Sequence, residues 1–303
     1  MSQVFTFTTY GGPEGQQLTD REVPAPGPGE IGIEVRAAGV NPADGKYRQG
    51  ALGTAGDLPA AMGLEAAGVV TAVGDGVDGF AVGDEVLGAP ARGFGAFAEH
   101  TVLDASQTVA KPEEISFAEA ATIPVAGTTA YDLTHQVEIE AGQTLLVLGA
   151  GGGVGLMALQ IAKVHEFRAI GVASESKREL VESTGATFVP SGDGAADRVR
   201  AAAPDGIDLL ADLVGGHALR ELAPLANHPA AIVSAADPAT AAELGGAGRE
   251  RSDGVLEKIT GVVQYGLVDP HVRATYPLDR ATEAMSAVET GHNAGKVVIV
   301  ATA

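Results

Sequence analysis

The chain has 303 residues, 45% hydrophobic and 19% charged, which is the length of about two domains and the composition of a globular protein with a substantial core. Its 39 acidic and 19 basic residues give a net charge of −20, whereas a surface that tracks nucleic-acid phosphates is basic. It has no cysteine, which excludes disulfides and thiolate ligands, and no apolar run reaches the roughly 18 residues of a membrane helix. Because the start, MSQVFTFTTYGG, also lacks signal-peptide character, we expect a cytoplasmic protein with no nucleic-acid or membrane partner.

The first hundred or so residues are predicted to be rich in β-strands, because short apolar runs alternate with glycine- and proline-rich segments such as PAPGPGE. From about Ser116, strands alternate with helical segments, which predicts a parallel sheet covered by helices on both faces. From about Gly261, strand-like runs return and end in KVVIVATA. The predicted strands are Ile31–Val35, Val69–Val73, Leu145–Gly149, Ala169–Ala173, Thr187–Pro190, Asp208–Leu213 and Ile232–Ala235, and the predicted helices are Val154–Val164 and Lys177–Thr184.

The segment LLVLGAGGGVGLMALQIAK, residues 145–163, places a glycine cluster between a predicted strand and a predicted helix. Unpaired amides at a helix start, together with the helix dipole, attract phosphate, and small residues let a pyrophosphate approach the backbone. The spacing G-x-G-x-x-G would fall on positions 150, 152 and 155, and the first of these is Ala150. We interpret the segment as a dinucleotide site of Rossmann type, held by Gly149, Ala150, Gly151, Gly152, Gly153, Val154 and Gly155.

The tip of the next predicted strand indicates which dinucleotide binds. An NAD site favours an acidic residue there, which accepts hydrogen bonds from the ribose hydroxyls. Here the strand ends in SESKR, so Ser174 stands at the tip and Lys177 and Arg178 follow. A hydroxyl and two cations suit the extra 2′-phosphate of NADPH, and Glu175 is expected to point away from the site. The pattern therefore favours NADPH.

Motifs along nearly the whole chain resemble the medium-chain dehydrogenase/reductase superfamily, specifically its zinc-free quinone oxidoreductase (zeta-crystallin-like) branch. They are AAGVNPADGKYRQG, GLEAAGVVTAVGDGVDGFAVGDEV, GAFAEHTV, ATIPVAGTTAYDLT, GAGGGVGLMALQIAK and GHNAGKVVIV. The resemblance implies an α/β protein with a doubly wound parallel Rossmann sheet and a β-rich, GroES-like catalytic domain. We expect the catalytic domain at residues 1–118, the NADP-binding domain at 119–260, and a return to the catalytic domain at 261–303.

Two substitutions place the chain in the zinc-free branch. Zinc-dependent relatives carry a cysteine after AGV and a histidine in a GHE motif, and this chain has Asn41 and Leu64 at those places. Leucine cannot ligate a metal, and Glu65 alone does not make a zinc site. No two of the seven histidines share a metal-ligand spacing, so we expect no metal.

Without a metal, reduction of an electrophilic quinone or α,β-unsaturated carbonyl by nicotinamide hydride is the easier reaction. The resemblance implies that Asn41, Asp44 and Tyr47 line the cleft near the nicotinamide and form the catalytic group, with Asn41 also contacting the cofactor. Tyr47 is the candidate to orient or protonate a carbonyl oxygen, with solvent as the alternative proton source.

Further cofactor contacts follow from the same resemblance. Thr128 is expected beside the nicotinamide ribose or carboxamide, and backbone groups of Ser234 and Ala235 are expected to meet the nicotinamide amide. Lys296 is expected near the cofactor. Relatives commonly pair an edge strand across a homodimer, so the resemblance implies a homodimer. The corresponding segment here, AAELGGAGRERSDG, is a poor strand, and we therefore leave the edge pairing open.

Two alternatives to a quinone or enone reductase remain at this point. One is an enoyl-thioester reductase of the same superfamily, which would need a basic entrance for its substrate's phosphate-bearing arm. Lys46 and Arg48 offer little of this in an acidic protein. The other is a non-catalytic NADPH-binding protein, either a sensor or a crystallin-like structural protein.

Overall fold

The structure is a computed structural model that describes residues 1–53, 57–291 and 294–301. His292 and Asn293, in the GHNAGKVVIV motif, lie outside the described residues. The chain forms two compact units, one made of residues 1–125 and 272–303 and the other of residues 126–271. We expected the boundaries after residues 118 and 260, so both lie further along the chain than expected.

The described ranges contain strands and helices that follow the chain in this order. The strands are β1 (Ser2–Phe7), β2 (Gln16–Arg21), β3 (Glu30–Val40), β4 (Ala60–Ala61), β5 (Ala66–Val73), β6 (Glu85–Pro90), β7 (His100–Ala110), β8 (Thr144–Leu148), β9 (Arg168–Ala173), β10 (Thr187–Pro190), β11 (Leu209–Asp212), β12 (Ile232–Ser234), β13 (Ala247–Gly248), β14 (Val272–Pro277) and β15 (Lys296–Val300). The helices are α1 (Pro42–Arg48), α2 (Phe117–Ala120), α3 (Thr128–His135), α4 (Gly153–Val164), α5 (Arg178–Ser183), α6 (Ala195–Ala202), α7 (Gly216–Leu222), α8 (Pro238–Glu243), α9 (Val255–Gln264) and α10 (Ala281–Glu289).

The first unit is built on a sheet that closes on itself. Among its described residues, the strand order is β14-β15-β3-β5-β6-β7, and β3 also pairs with β7. This closure removes an open edge and encloses a core with fully buried Phe7, Ile31, Ile33 and Leu103. The carboxyl-terminal β15 pairs antiparallel with β3, which brings Lys296 to the end of β3 where α1 begins.

The second unit, all of whose residues are described, contains a parallel sheet in the order β10-β9-β8-β11-β12-β13. Numbered within the unit, this is 3-2-1-4-5-6, the doubly wound Rossmann order, with its switch point between β8 and β11. Every residue of β8 is buried, as expected for a strand covered on both faces. The predicted fold class is confirmed, and the predicted strands of this sheet match within a residue or two.

Two helices account for the differences in the boundaries. The change of pattern at Ser116 marks α2, which packs on β3 and β5 and therefore belongs to the first unit. The prediction of strand-like structure from Gly261 was wrong up to His271, because residues through Gln264 end α9, which packs on α3, and the next strand, β14, begins only at Val272. The apolar Val255, Ile259 and Val263 recur every fourth residue and are buried, a helical spacing that the strand interpretation overlooked.

The β13 edge of the Rossmann sheet is covered by a side chain of the same unit. The N–H of Arg249 donates to the Ser234 carbonyl on β12, so the neighbouring Gly248 carbonyl and Glu250 N–H point away from the sheet. Gln136 occupies both: its Nε2 donates to the Gly248 carbonyl at 2.9 Å, and its Oε1 accepts from the Glu250 N–H at 2.7 Å. One carboxamide thus takes the place of a residue in a seventh strand.

Candidate active site

The glycine loop forms a bare helix start. Gly149 follows β8 with φ +91°, a left-handed conformation that favours glycine. Helix α4 begins at Gly153, and its N-cap, Gly152, has no side chain to satisfy the first amides of the helix. A Cβ on Gly152 would meet only the Gly149 carbonyl, at 3.7 Å, so the space above it is open. The first amides of α4 therefore face a space that an anion can enter.

The other small residues of the loop keep the helix close to the sheet. A Cβ on Gly155 would lie 2.6 Å from the Ala150 Cα, so only glycine fits there. Ala150 is fully buried, and its N–H donates to the Val172 carbonyl at 3.1 Å. The left-handed turn is made by Gly149, so an alanine at position 150 leaves the loop intact.

One of the two cations at the tip of β9 is paired with carboxylates. Arg178 donates to Glu175 at 2.6 and 3.1 Å, also reaches Glu182 at 3.2 Å, and lies over the Phe188 ring. Because two carboxylates surround it, Arg178 offers a phosphate less than its charge suggests. The prediction missed this because residues three and four apart on a helix reach one another.

Lys177 lies against the glycine loop, and Ser174 stands at the tip of β9. The Lys177 stem covers Gly151, where a Cβ would be 2.3 Å from the Lys177 Cδ. Burial of this side chain lowers the pKa of its ammonium group. Ser174 directly follows β9, and its hydroxyl is 3.1 Å from that of Ser176. The structure thus brings Lys177 to the glycine loop, with a serine at the strand tip.

Thr128 lies in a polar network that the sequence did not indicate. Arg249 donates to Thr128 at 3.0 Å, to Thr129 at 2.6 Å and to Asp132 at 2.8 Å, all on one face of α3. Asp132 is fully buried and also accepts from the Ser252 N–H. The segment after β13 therefore holds the Thr128 hydroxyl in a fixed direction.

At the end of β12, several backbone groups expected to meet the cofactor are already bonded. The Ser234 carbonyl accepts from Arg249, and the Ala235 N–H donates to the Asp212 carbonyl at 3.0 Å. The Ser234 hydroxyl donates to the buried Asp212 carboxylate at 2.5 Å and accepts from the Asp237 N–H at 2.8 Å. Asp212, absent from the predicted site, organises this strand end.

The first unit contains a buried polar cluster of Asn41, Asp44, Glu65 and Lys296. Lys296 is 4% exposed, and its ammonium donates to the Asn41 Oδ1 at 2.6 Å and the Glu65 Oε1 at 2.9 Å. The Asn41 Nδ2 donates to the same Glu65 oxygen at 2.7 Å, and the other Glu65 oxygen accepts from the Val125 N–H. Lys296 is thus buried in an ion pair that fixes Asn41.

Asp44 holds the start of α1. Its Oδ2 accepts from the Asn41 N–H at 2.8 Å, a capping-box contact, while its Oδ1 has no partner among the described residues. Burial, with the charge of Glu65 acting in the same direction, raises the pKa of Asp44 to about 7 against the opposing effects of hydrogen bonds and Lys296. Near neutral pH this carboxyl group is therefore protonated in part of the molecules and ionised in the rest.

Tyr47 lies outside that cluster. Its ring packs edge-to-face on Phe7, with centroids 5.6 Å apart, and the side chain is half-buried. Burial and the neighbouring Tyr10 raise the pKa of Tyr47, so its hydroxyl keeps its proton at neutral pH. Asn41, Asp44 and Lys296 are brought together, whereas Tyr47, which lies on the same helix as Asp44, packs against Phe7 of β1.

Sequence reasoning missed Glu65 as a positioning group, as well as Asp132, Asp212 and Arg249. In the sequence, Glu65 stood out only as a single acidic residue next to Leu64, which replaces a zinc ligand of the relatives. Its partner Lys296 lies 231 residues further along the chain. In the described residues, no group of three histidine, cysteine or acidic side chains is placed to hold a metal ion. No helix formed by those residues has the length and apolarity needed to cross a bilayer.

Comparison with known proteins agrees with this architecture. A family model described as the alcohol dehydrogenase GroES-like domain matches residues 27–113, and one described as zinc-binding dehydrogenase matches residues 184–299. The NADPH-dependent alkenal/one oxidoreductase of Arabidopsis thaliana is 33% identical, over 98% of this chain and 79% of that protein. The quinone oxidoreductase of Rattus norvegicus is 30% identical, over 95% of this chain and 93% of that protein.

A solved structure extends the match to three dimensions. The quinone oxidoreductase of Escherichia coli, complexed with NADPH, superimposes with a TM-score of 0.88 at 25% identity, over 98% of this chain and 99% of that one. The fold and these matches define an oxidoreductase of the medium-chain dehydrogenase/reductase superfamily. Within that superfamily, the chain belongs to the quinone oxidoreductase family.

Proposed function

We propose that this protein is an NADPH-dependent reductase of quinones or α,β-unsaturated carbonyls. The observation that carries the proposal is the bare start of α4, where Gly152 leaves open space in front of the first helix amides. The names of the relatives, a quinone oxidoreductase and an NADPH-dependent alkenal/one oxidoreductase, support the substrate class. The E. coli neighbour was solved with NADPH, which supports the cofactor.

The residues present fit a phosphorylated dinucleotide. The loop of residues 149–155 would hold the pyrophosphate, and Ser174 and Lys177 would receive the 2′-phosphate. Glu175, the acidic residue nearest to this position in sequence, is neutralised by Arg178, so it repels an added phosphate less than an unpaired carboxylate would. Thr128, held by Arg249, and Ser234, held by Asp212, are proposed to contact the nicotinamide part.

The residues at the place of the relatives' zinc site do not fit a zinc ion. Asn41 and Leu64 stand where the zinc-dependent relatives carry ligands, and the Asn41 Oδ1 already accepts from the Lys296 ammonium at 2.6 Å. This donor set is organised around a lysine cation, and a zinc ion has no set of ligands there. We therefore propose that the reduction proceeds without zinc, although one matching family model is described as zinc-binding.

When bound, the nicotinamide supplies a hydride to an electrophilic carbon. The polar cluster around Glu65 and Lys296 fixes Asn41 and the first turn of α1, and that helix carries Tyr47. We propose Tyr47 as the group that donates the proton to the carbonyl oxygen; its raised pKa makes this phenol a weak acid, so the transfer depends on the negative charge that hydride addition places on that oxygen. Ring packing against Phe7 orients this hydroxyl.

The experiment pairs cofactor binding with turnover. The protein would be titrated with NADPH and NADH, then assayed for NADPH oxidation with quinones, enones and enoyl-CoA thioesters. We expect turnover with quinones or enones. Turnover restricted to enoyl-CoA would support the enoyl-thioester reductase instead, and tight NADPH binding with no turnover on any acceptor would overturn the proposal.

Two glycine variants test the role of the loop separately. Gly152→Ala places its Cβ in open space, so we expect an unchanged Tm and a Kd for NADPH at least about tenfold higher, because the methyl group stands where the phosphate approaches. Gly155→Ala, the matched control, places its Cβ 2.6 Å from the Ala150 Cα and should lower the Tm. Unchanged NADPH affinity in Gly152→Ala would contradict the assignment of this loop.

A further inference from the structure

Two histidines far apart in sequence meet on the surface of the second unit. His135 is the last residue of α3, His165 immediately follows α4, and the two helices pack together. Their Nε2 atoms are 3.1 Å apart. The sequence showed no metal-ligand spacing between histidines because the fold, and not the local helix repeat, brings this pair together.

The tautomer of His135 is determined by its hydrogen bond to the backbone. Its Nδ1 lies 2.8 Å from the Tyr131 carbonyl oxygen, which can only accept, and 3.0 Å from the Thr134 hydroxyl, whose proton is directed to the Ala130 and Tyr131 carbonyls; we therefore assign the proton to Nδ1. In neutral His135 the Nε2 atom therefore carries no proton, and its lone pair is directed toward His165. This arrangement, one ring nitrogen bonded to a backbone carbonyl and the other bare, is the usual one for a metal-ligating histidine.

Both rings are held in place before any ligand arrives. The His135 ring stacks on Tyr131 with centroids 3.9 Å apart and planes 5° apart, and the His165 ring stacks on Phe167 with centroids 5.4 Å apart. The centroids of the two imidazoles are only 4.8 Å apart, closer than a head-on contact at this nitrogen separation would give. The two nitrogens therefore meet obliquely, as they do when both face a shared third atom.

The nitrogen separation matches cis coordination. Two nitrogens at about 2.0–2.1 Å from one ion lie roughly 2.9 Å apart at a right angle and roughly 3.3 Å apart at the tetrahedral angle. The observed 3.1 Å falls between these values. We propose that His135 and His165 form a surface binding site for an imidazole-preferring divalent ion, namely Zn²⁺, Ni²⁺ or Cu²⁺, with water completing the coordination.

The surroundings favour a neutral His135 and a loosely held cation. Burial is the main cause that lowers the pKa of His135; the hydrogen bond to the Tyr131 carbonyl and the charge of Asp132 oppose it, and His165 and Lys258 act in its direction. The carboxyl-terminal ends of both helices supply partial negative charge, which favours a cation, whereas the Lys258 charge opposes it. Because no third protein ligand is assembled among the described residues, the ion should exchange readily.

Binding would join the ends of α3 and α4, so it should stabilise the folded chain without depending on cofactor or substrate. The test is calorimetric titration of the whole protein with Zn²⁺, Ni²⁺ and Cu²⁺, using His135→Ala, His165→Ala and, as a matched control, the exposed His217→Ala. We expect one equivalent per chain, at least tenfold weaker binding in the first two variants, and unchanged binding in the control. Affinity should fall as the pH is lowered, because both nitrogens must be unprotonated.

A measurement on the unaltered protein removes the dependence on variants that fold poorly. With one equivalent of Cu²⁺, the electron paramagnetic resonance spectrum should show coupling to two imidazole nitrogens. A spectrum without nitrogen coupling, or equal affinity in His135→Ala and the unaltered protein, would overturn the proposal and leave the pair as a hydrogen bond only.

Discussion

Replacing Asp44 with asparagine should change how stability depends on pH. Burial raises the pKa of Asp44 from 3.8 to about 7, so the folded protein holds this proton more tightly than the unfolded chain does. The contribution to stability is therefore fully present below pH 3.8 and is lost as the pH rises to about 7. A shift of roughly three units corresponds to about 4 kcal/mol, at about 1.36 kcal/mol per unit.

Asparagine removes this titration while keeping the cap. Its side-chain oxygen can still accept from the Asn41 N–H. The free energy of unfolding of Asp44→Asn minus that of the unaltered protein should therefore increase by about 3 kcal/mol as the pH rises from about 5 to about 8.

Urea unfolding at a series of pH values measures this difference directly. The exposed Asp78→Asn is the matched control for removing one negative charge, and it should follow the unaltered protein closely. A constant difference between Asp44→Asn and the unaltered protein across the range would refute the reasoning, as would a difference that shrinks with rising pH.

Three further variants test the proposed site. Lys177→Ala should reduce the preference for NADPH over NADH at least about tenfold, while Arg178→Ala should change it much less because Glu175 already pairs with that cation. Steady-state KM values for both cofactors measure the preference, and a larger loss in Arg178→Ala than in Lys177→Ala would contradict the assignment. Lys296→Met should cost about 3–5 kcal/mol in urea unfolding by leaving a buried carboxylate unpaired, and adding Glu65→Gln should recover part of the loss; a cost below about 1 kcal/mol would count against the pair. Tyr47→Phe should lower kcat about a hundredfold with an unchanged Tm, whereas an unchanged kcat would assign the proton to solvent.

Much of the Rossmann unit could be predicted from sequence because its signals are local. The buried strand β8 is a continuous apolar run, the glycines follow it directly, and α4 is apolar and long enough to recognise. The superfamily followed from motifs that occur in order along nearly the whole chain, and the comparisons confirmed it.

The internal pairing of charged side chains could not be predicted in this way. Lys296 and Glu65 meet because β15 returns to β3, so their contact depends on the completed sheet. Whether Arg178 faces a ligand or Glu175 depends on side-chain choices within one turn, which leave no pattern in the sequence. The missed α9 is a different case, since its fourfold apolar spacing was visible in the sequence.

The carboxamide of Gln136 on the β13 edge bears on how two copies of the chain could associate. A second chain that extended this sheet would have to expel Gln136 and then supply the same two hydrogen bonds, to the Gly248 carbonyl and the Glu250 N–H. At that position the exchange gains no net hydrogen bond, so it adds no free energy of association there. A single glutamine thereby removes the gain that an exposed strand edge would offer at that position to a second chain.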